Sequence, residues 1–149
     1  MIPRAALIDM GKALAKEVAH GRPGAAAELS AAMLNRAPDH VLDLFELMVA
    51  EIGKKRPNQS LLDAFSLMLG QGLESLRSGQ ERAEPAASKT LAELERRILT
   101  AGRTPKANYP LMLMVLQQYS VARLKPGAEL RNLMGDLVEQ AANLIPDGT

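Results

Sequence analysis

The sequence predicts an all-α protein of about seven helices, arranged as a compact helical bundle or as a short α-solenoid of antiparallel helix pairs. Apolar residues recur every three or four positions along nearly all of the 149-residue chain, and no segment alternates apolar and polar residues as a strand does. Short stretches rich in proline, glycine and helix-capping residues separate these segments. The length is typical of one domain, so we expect a single helical domain over residues 1–149.

Four helices are predicted in the first half of the chain. They cover about residues 4–20, 24–36, 41–52 and 60–78. The third is the clearest, because its apolar residues follow the i, i+3, i+4, i+7 series and Gly53 follows it as a stop signal. The fourth begins near Ser60, whose hydroxyl can cap the first turn, and its Gly70 and Gly72 indicate close approach of a neighbouring helix.

Three more helices are predicted in the second half. They cover about residues 90–101, 105–124 and 128–145. Thr90 and Glu93 have the spacing of a capping box at the start of the first of these helices. Pro110 lies inside the second, so its straight part is expected to begin only at residue 109 or 110.

Residues 78–89 are the longest candidate linker. They contain Pro85 and show no apolar period. A linker at this place offers a possible subdivision of the domain into residues 1–77 and 90–149.

Several kinds of chemistry are excluded by residue types that the chain lacks. It has no cysteine, so it forms no disulfide, thiolate nucleophile or cysteine-based metal site. His20 and His40 are isolated from metal-binding patterns, and no glycine-rich phosphate loop occurs. We therefore expect no enzymatic activity, no cofactor and no metal.

No uncharged apolar stretch is long enough to cross a membrane, so no membrane association is predicted. The N-terminal segment is interrupted by Asp9, Lys12 and Lys16 and lacks the uncharged apolar core of a secretory signal. We expect a cytoplasmic protein.

The third and fourth predicted helices share a short sequence, since LDLFELM at residues 42–48 is partly repeated as LDAFSLM at residues 62–68. Asp43 and Asp63 lie away from the apolar stripes, which indicates solvent rather than an acid/base pair. Leu47 and Leu67 also fall outside the main stripes. Either both helices are covered on two sides, or these leucines join an exposed patch that contacts another chain.

Residues 96–128 contain six basic side chains and no carboxylate, the strongest charge asymmetry of a chain with net charge +1. The basic region 96–131 is therefore a candidate phosphate-binding surface. Its candidate ligands are Arg96, Arg97, Arg103 and Lys106. Helical geometry separates the six charges into two clusters about 30 Å apart, an arrangement typical of solvated helix ends.

The segment from Leu111 to Leu116 is apolar around its whole circumference, which is typical of a central helix. Its Met112 and Met114 are flexible, polarizable side chains that also suit a surface accepting a partner helix.

These patterns favour a non-catalytic protein–protein interaction module, such as an adaptor, regulator or complex subunit. Its partner is expected to be another protein or a second copy of the chain. The candidate interface residues are Leu47, Leu67, Met112 and Met114. The alternative is a nucleic-acid-binding regulator that uses the basic region, although the scarcity of aromatic residues makes nucleic acid the weaker expectation.

Overall fold

The computed structural model describes residues 3–19, 40–102 and 105–143. Within these residues the fold contains six α-helices and no strand, which confirms the all-α prediction. The helices are α1 (Arg4–Ala19), α2 (His40–Ile52), α3 (Gln59–Glu81), α4 (Pro85–Gly102), α5 (Pro105–Ala122) and α6 (Ala128–Asn143). The predicted helix over residues 24–36 lies outside the described residues.

Helix α3 is the centre of a bundle. It packs against α1, α2, α4 and α5, whereas α6 packs against α4 and α5. Glycines allow the close approach, since a Cβ on Gly72 would overlap Cγ1 of Val41 on α2, and one on Gly70 would overlap the side-chain amide of Gln118 on α5. This arrangement is a bundle rather than a solenoid, because four helices surround one.

The helices from α2 to α5 reverse direction at each connection. Helices α2 and α3 are joined by six residues, and Val41 at the start of α2 lies against Gly72 in the second half of α3. Helices α3 and α4 are joined by three residues, and a Cβ on Gly79 would meet Ala87. Helices α4 and α5 meet again where Tyr119 approaches Glu95. Helices α3 and α5 therefore run in the same direction.

The predicted linker over residues 78–89 is wrong, because most of this segment is helical. Helix α3 continues to Glu81 and α4 begins at Pro85, so only three residues connect them. Proline suits the first helical position, where no backbone N–H is needed. The predicted capping box at Thr90 is also wrong, since Thr90 is buried inside α4.

The buried apolar residues, which occur along the described chain from Leu7 to Leu137, belong to one hydrophobic cluster.

The start of α3 differs by one residue from the prediction. Its N-cap is Asn58, whose side-chain oxygen accepts a hydrogen bond from the N–H of Leu61 at 3.1 Å. Ser60, the predicted cap, lies within the first turn and is exposed. Asn58 is further held by its own N–H, which donates to the Glu51 carboxylate at 3.1 Å.

Candidate interaction surface

Three large apolar side chains are exposed among the described residues. They are Leu67 at 37% exposure, Leu113 at 38% and Val121 at 69%. Leu67 belongs to α3 and the other two belong to α5, so all three lie on helices that pack against each other.

The seam between α3 and α5 brings these side chains to one side of the bundle. The Gln118 amide Nε2 donates a hydrogen bond to the Ser66 hydroxyl at 3.1 Å, and Gly70 faces the same amide. Leu67 lies three residues before Gly70, and Met114 lies four residues before Gln118. Because residues three or four apart share a helix face and the two helices are parallel, Leu67 and Met114 are neighbours along this seam.

The outward side of α5 carries no charge. From Pro110 to Val121 the helix contains no Asp, Glu, Lys or Arg. Leu113, Gln117 and Val121 are exposed on an arc of about 80°, at about 100° per residue, and half-buried Met114 borders this arc towards α3. We call Leu67, Leu113, Met114, Gln117 and Val121 the α3–α5 face.

The four predicted interface residues have different positions. Leu67 and Met114 belong to the α3–α5 face, whereas Leu47 is half-buried on α2 and packs against the core. Met112 is only 3% exposed, so its prediction as an interface residue is wrong. It lies on the inward side of α5, where its side chain joins the hydrophobic cluster.

Leu113 and Val121 were not predicted from the sequence as interface residues. The segment from Leu111 to Leu116 is apolar all round, so its pattern does not show which side faces inward. A usable signal was the pair of polar residues Gln117 and Ser120, which are exposed and mark the outward direction.

Two acidic residues lie on the α3 side of the α3–α5 face. On α3, Asp63 and Glu74 are exposed and lie four residues before and seven residues after Leu67, so they share its side of the helix. Beyond the C-terminus of α5, Arg123 and Lys125 are exposed. Lys106 stands in the first turn of α5, although its side chain is outside the described set. Asp63 and Glu74 therefore give the α3 part of the face an acidic character.

The predicted phosphate ligands Arg96 and Arg97 are engaged by carboxylates. Arg96 donates to Glu93 through Nε at 2.9 Å and through Nη2 at 2.6 Å. Arg97 donates to Glu93 at 3.0 Å and reaches Glu46 on α2 at 3.4 Å. The hydrogen bond from Arg96, which has the larger effect, and the one from Arg97 lower the pKa of Glu93 to about 2. Arg103, and the side chain of Lys106, lie outside the described residues.

These two arginines also line an open groove of about 550 Å³ between α1, α2 and α4. Arg4, the third arginine of this groove, donates to Asp43 at 3.0 Å. Three guanidinium groups thus meet three carboxylates, those of Asp43, Glu46 and Glu93. The groove is balanced in charge, and its ion pairs connect neighbouring helices.

Burial strongly perturbs the phenol of Tyr119. Its side chain is buried, and burial, followed by the charge of Glu95, raises its pKa. The hydroxyl has no hydrogen bond of good geometry, whereas Glu95 accepts the N–H of Gly127 at 2.7 Å. A phenol that stays protonated beside a carboxylate is a poor base or nucleophile.

Among the residues that the structure describes, no group of three His, Asp or Glu side chains could hold a metal ion. No helix in the same part of the chain has the length and apolar character to span a bilayer. In comparisons with known proteins, no family model, curated protein or solved structure matches this chain.

Proposed function

We propose that this chain is a non-catalytic protein–protein interaction module that docks through the α3–α5 face. The observation that carries the proposal is that the three large exposed apolar side chains of the described residues all lie on this face. An exposed apolar patch with a polar rim is typical of protein interaction sites. The absence of cysteine from the chain suits a reducing compartment, so we place the module in the cytoplasm.

The nucleic-acid alternative has less support. Arg96 and Arg97 each donate to carboxylates, and a phosphate would have to share or displace those partners. Binding to phosphates would also have to weaken steeply as salt rises, because each contact releases counterions.

A site-specific crosslinking experiment tests the proposed function. The chain has no cysteine, so Val121→Cys supplies a unique thiol on the face that can carry a photoactivated crosslinker. Asn132→Cys, on the exposed surface of α6, is the matched control. Both labelled proteins are added to an extract of cells that express the chain, illuminated and analysed by denaturing electrophoresis and mass spectrometry.

We expect protein adducts from Val121→Cys and few from Asn132→Cys, because only the first thiol lies within the docking surface. Equal yields at the two positions, or adducts at the control alone, would overturn the proposal. Adducts that contain nucleic acid rather than protein would favour the alternative.

A further inference from the structure

We infer that α6 is a hinged lid that undocks from α4 and α5 while the rest of the bundle stays folded, and that Glu95 controls it by changing hydrogen-bond partners. In the closed state the Glu95 carboxylate accepts the backbone N–H of Gly127, and in the open state it accepts the hydroxyl of Tyr119. This device is independent of the proposed function of the α3–α5 face.

Helix α6 lies at the periphery of the bundle, where it packs against α4 and α5. Buried residues occur along the central helix α3 from Leu61 to Gly79, whereas two of the α6 side chains that the structure describes are buried, Leu130 and Leu137. A helix in a protein owes most of its stability to packing, and Gly135 weakens α6 further. Undocking of α6 is therefore expected to unfold it as well.

The contact between α4 and α6 is close at two points and open beside them. A Cβ on Gly102 would overlap the Leu133 side chain, and Gly127 contacts Glu95. Two open cavities of about 560 and 260 Å³ lie between the same helices, and Leu99 of α4 lines both. Side chains that line empty space lack the contacts of a densely packed interface, so undocking of α6 breaks fewer of them.

The connection from α5 to α6 contains a hinge at Gly127. Before it, Leu124 is buried and donates its N–H to the carbonyl of Tyr119 at 3.0 Å, which attaches this part of the connection to α5. Gly127 is exposed, and its carbonyl accepts the N–H of Arg131 in the first turn of α6 at 2.9 Å. Because glycine adopts a wider range of backbone conformations than other residues, α6 can turn about this point.

The same glycine is bound to α4. Its N–H donates to the Glu95 carboxylate at 2.7 Å, a short hydrogen bond to a charged acceptor. A Cβ on Gly127 would lie 2.8 Å from that carboxylate oxygen, so the absence of a side chain permits the close approach. Hinge and latch therefore coincide, and α6 cannot turn away without breaking this hydrogen bond.

Tyr119 offers Glu95 a second donor. Its phenol is buried beside this carboxylate, and in the closed state its hydroxyl makes no hydrogen bond of good geometry. A buried donor without an acceptor costs free energy. When Gly127 leaves, the carboxylate is released to accept the hydroxyl, and the bond gained offsets part of the bond lost. The exchange of partners thus brings the open and closed states closer in free energy.

Native-state hydrogen exchange, followed by NMR on the unaltered chain, tests the lid. The backbone amides of α6 exchange when its helical hydrogen bonds break, so their protection measures the ratio of closed to open molecules. We expect these amides to share one protection factor, about tenfold or more below that of the α3 core. Equal protection of α6 and α3 would overturn the lid, because α6 would then open only on global unfolding. A steady decrease of protection towards Asn143 would overturn it too, since that pattern indicates fraying.

Two glycine substitutions test the latch. Gly127→Ala displaces the Glu95 carboxylate and should lower the protection of α6 about tenfold, because a hydrogen bond to a charged acceptor is lost. Gly135→Ala is the matched control, since its Cβ meets no atom within 4 Å. It should raise the protection of α6 about fivefold through helix propensity alone. A Gly127→Ala variant whose α6 is protected as well as in the unaltered chain contradicts the latch.

A double-mutant cycle tests the change of partner. Tyr119→Phe removes the second donor, so the open state loses its hydrogen bond and the protection of α6 should rise about fivefold. In a Glu95→Ala background the same substitution should leave the protection of α6 unchanged. An effect that persists without Glu95, or no effect in the unaltered background, would refute the exchange of partners. Circular dichroism of each variant shows whether it is folded.

Discussion

Replacing glycine by alanine should have opposite effects on stability at Gly72 and at Gly135. Gly72 lies where α2 and α3 approach closely, whereas Gly135 faces open space. Gly72 lies inside α3, and a Cβ placed there would overlap Cγ1 of Val41. Gly135 lies inside α6, and a Cβ there would have no atom within 4 Å. Both positions are interior to helices, so alanine brings the same intrinsic preference for helix at each.

The expected magnitudes follow from these surroundings. Gly135→Ala should raise the free energy of unfolding by about 1 kcal/mol, the usual difference in helix propensity between the two residues. Gly72→Ala has the same gain, but Val41 is fully buried and its β-branched side chain has few alternative rotamers. Overpacking of this kind costs about 1–3 kcal/mol, so Gly72→Ala should destabilise the fold by about 1 kcal/mol.

Urea unfolding followed by circular dichroism measures both changes. With a slope of about 2 kcal/mol per molar urea, the two midpoints should differ by about 1 M. Val41→Ala removes the clashing methyl group, so in that background Gly72→Ala should become stabilising. The reasoning about α2–α3 packing is refuted if Gly72→Ala and Gly135→Ala raise the midpoint equally in the unaltered chain.

Other predictions test local interactions. Asn58→Ala should cost about 1 kcal/mol of stability in urea unfolding because it removes the N-cap of α3, whereas Ser60→Ala should change little; the opposite order would restore Ser60 as the cap. In an NMR titration the Glu93 carboxyl should ionise near pH 2, and Arg96→Gln should move the midpoint up towards 4.5; an unshifted midpoint would show that the ion pair is absent in solution. Tyr119→Phe should leave stability at pH 7 unchanged or raise it by about 1 kcal/mol, because the buried hydroxyl makes no hydrogen bond of good geometry. The raised pKa of Tyr119 also means that its ionisation favours the unfolded chain, so stability should be complete below pH 10 and fall above it, and the phenylalanine variant should lack this fall.

The helices were predictable because their signals are local. The apolar series from Val41 to Ile52 matches α2, which begins one residue earlier at His40 and ends at Ile52. The start of α4 was not predicted because residues 85–89 contain no large apolar side chain. The buried residue among them is Ala87, whose small side chain fits closely beside Gly79. A prediction based on apolar periodicity overlooks contacts of this kind.

The basic region shows why a count of charges along the chain did not predict the surface. The six basic residues begin at Arg96, directly after Glu95 and three positions after Glu93. The interval that lacks carboxylates therefore excludes Glu93 by three positions, although Glu93 binds both Arg96 and Arg97. The second carboxylate bound to Arg97 is Glu46, which is 51 positions away. Local charge asymmetry therefore overstated the positive potential of this part of α4.

The apolar surface was harder to predict for a related reason. Leu67 was singled out because it lies outside the stripe of its helix, and this reasoning needs only the spacing within one helix. Leu113 and Val121 could not be separated from Met112 in the same way, since α5 is apolar on both sides. The polar residues Gln117 and Ser120 indicate the outward side, and the contact of Gln118 with Ser66 and Gly70 establishes it, because this contact turns Met112 inward and Leu113 outward. One buried polar pair therefore positions the apolar residues of the α3–α5 face.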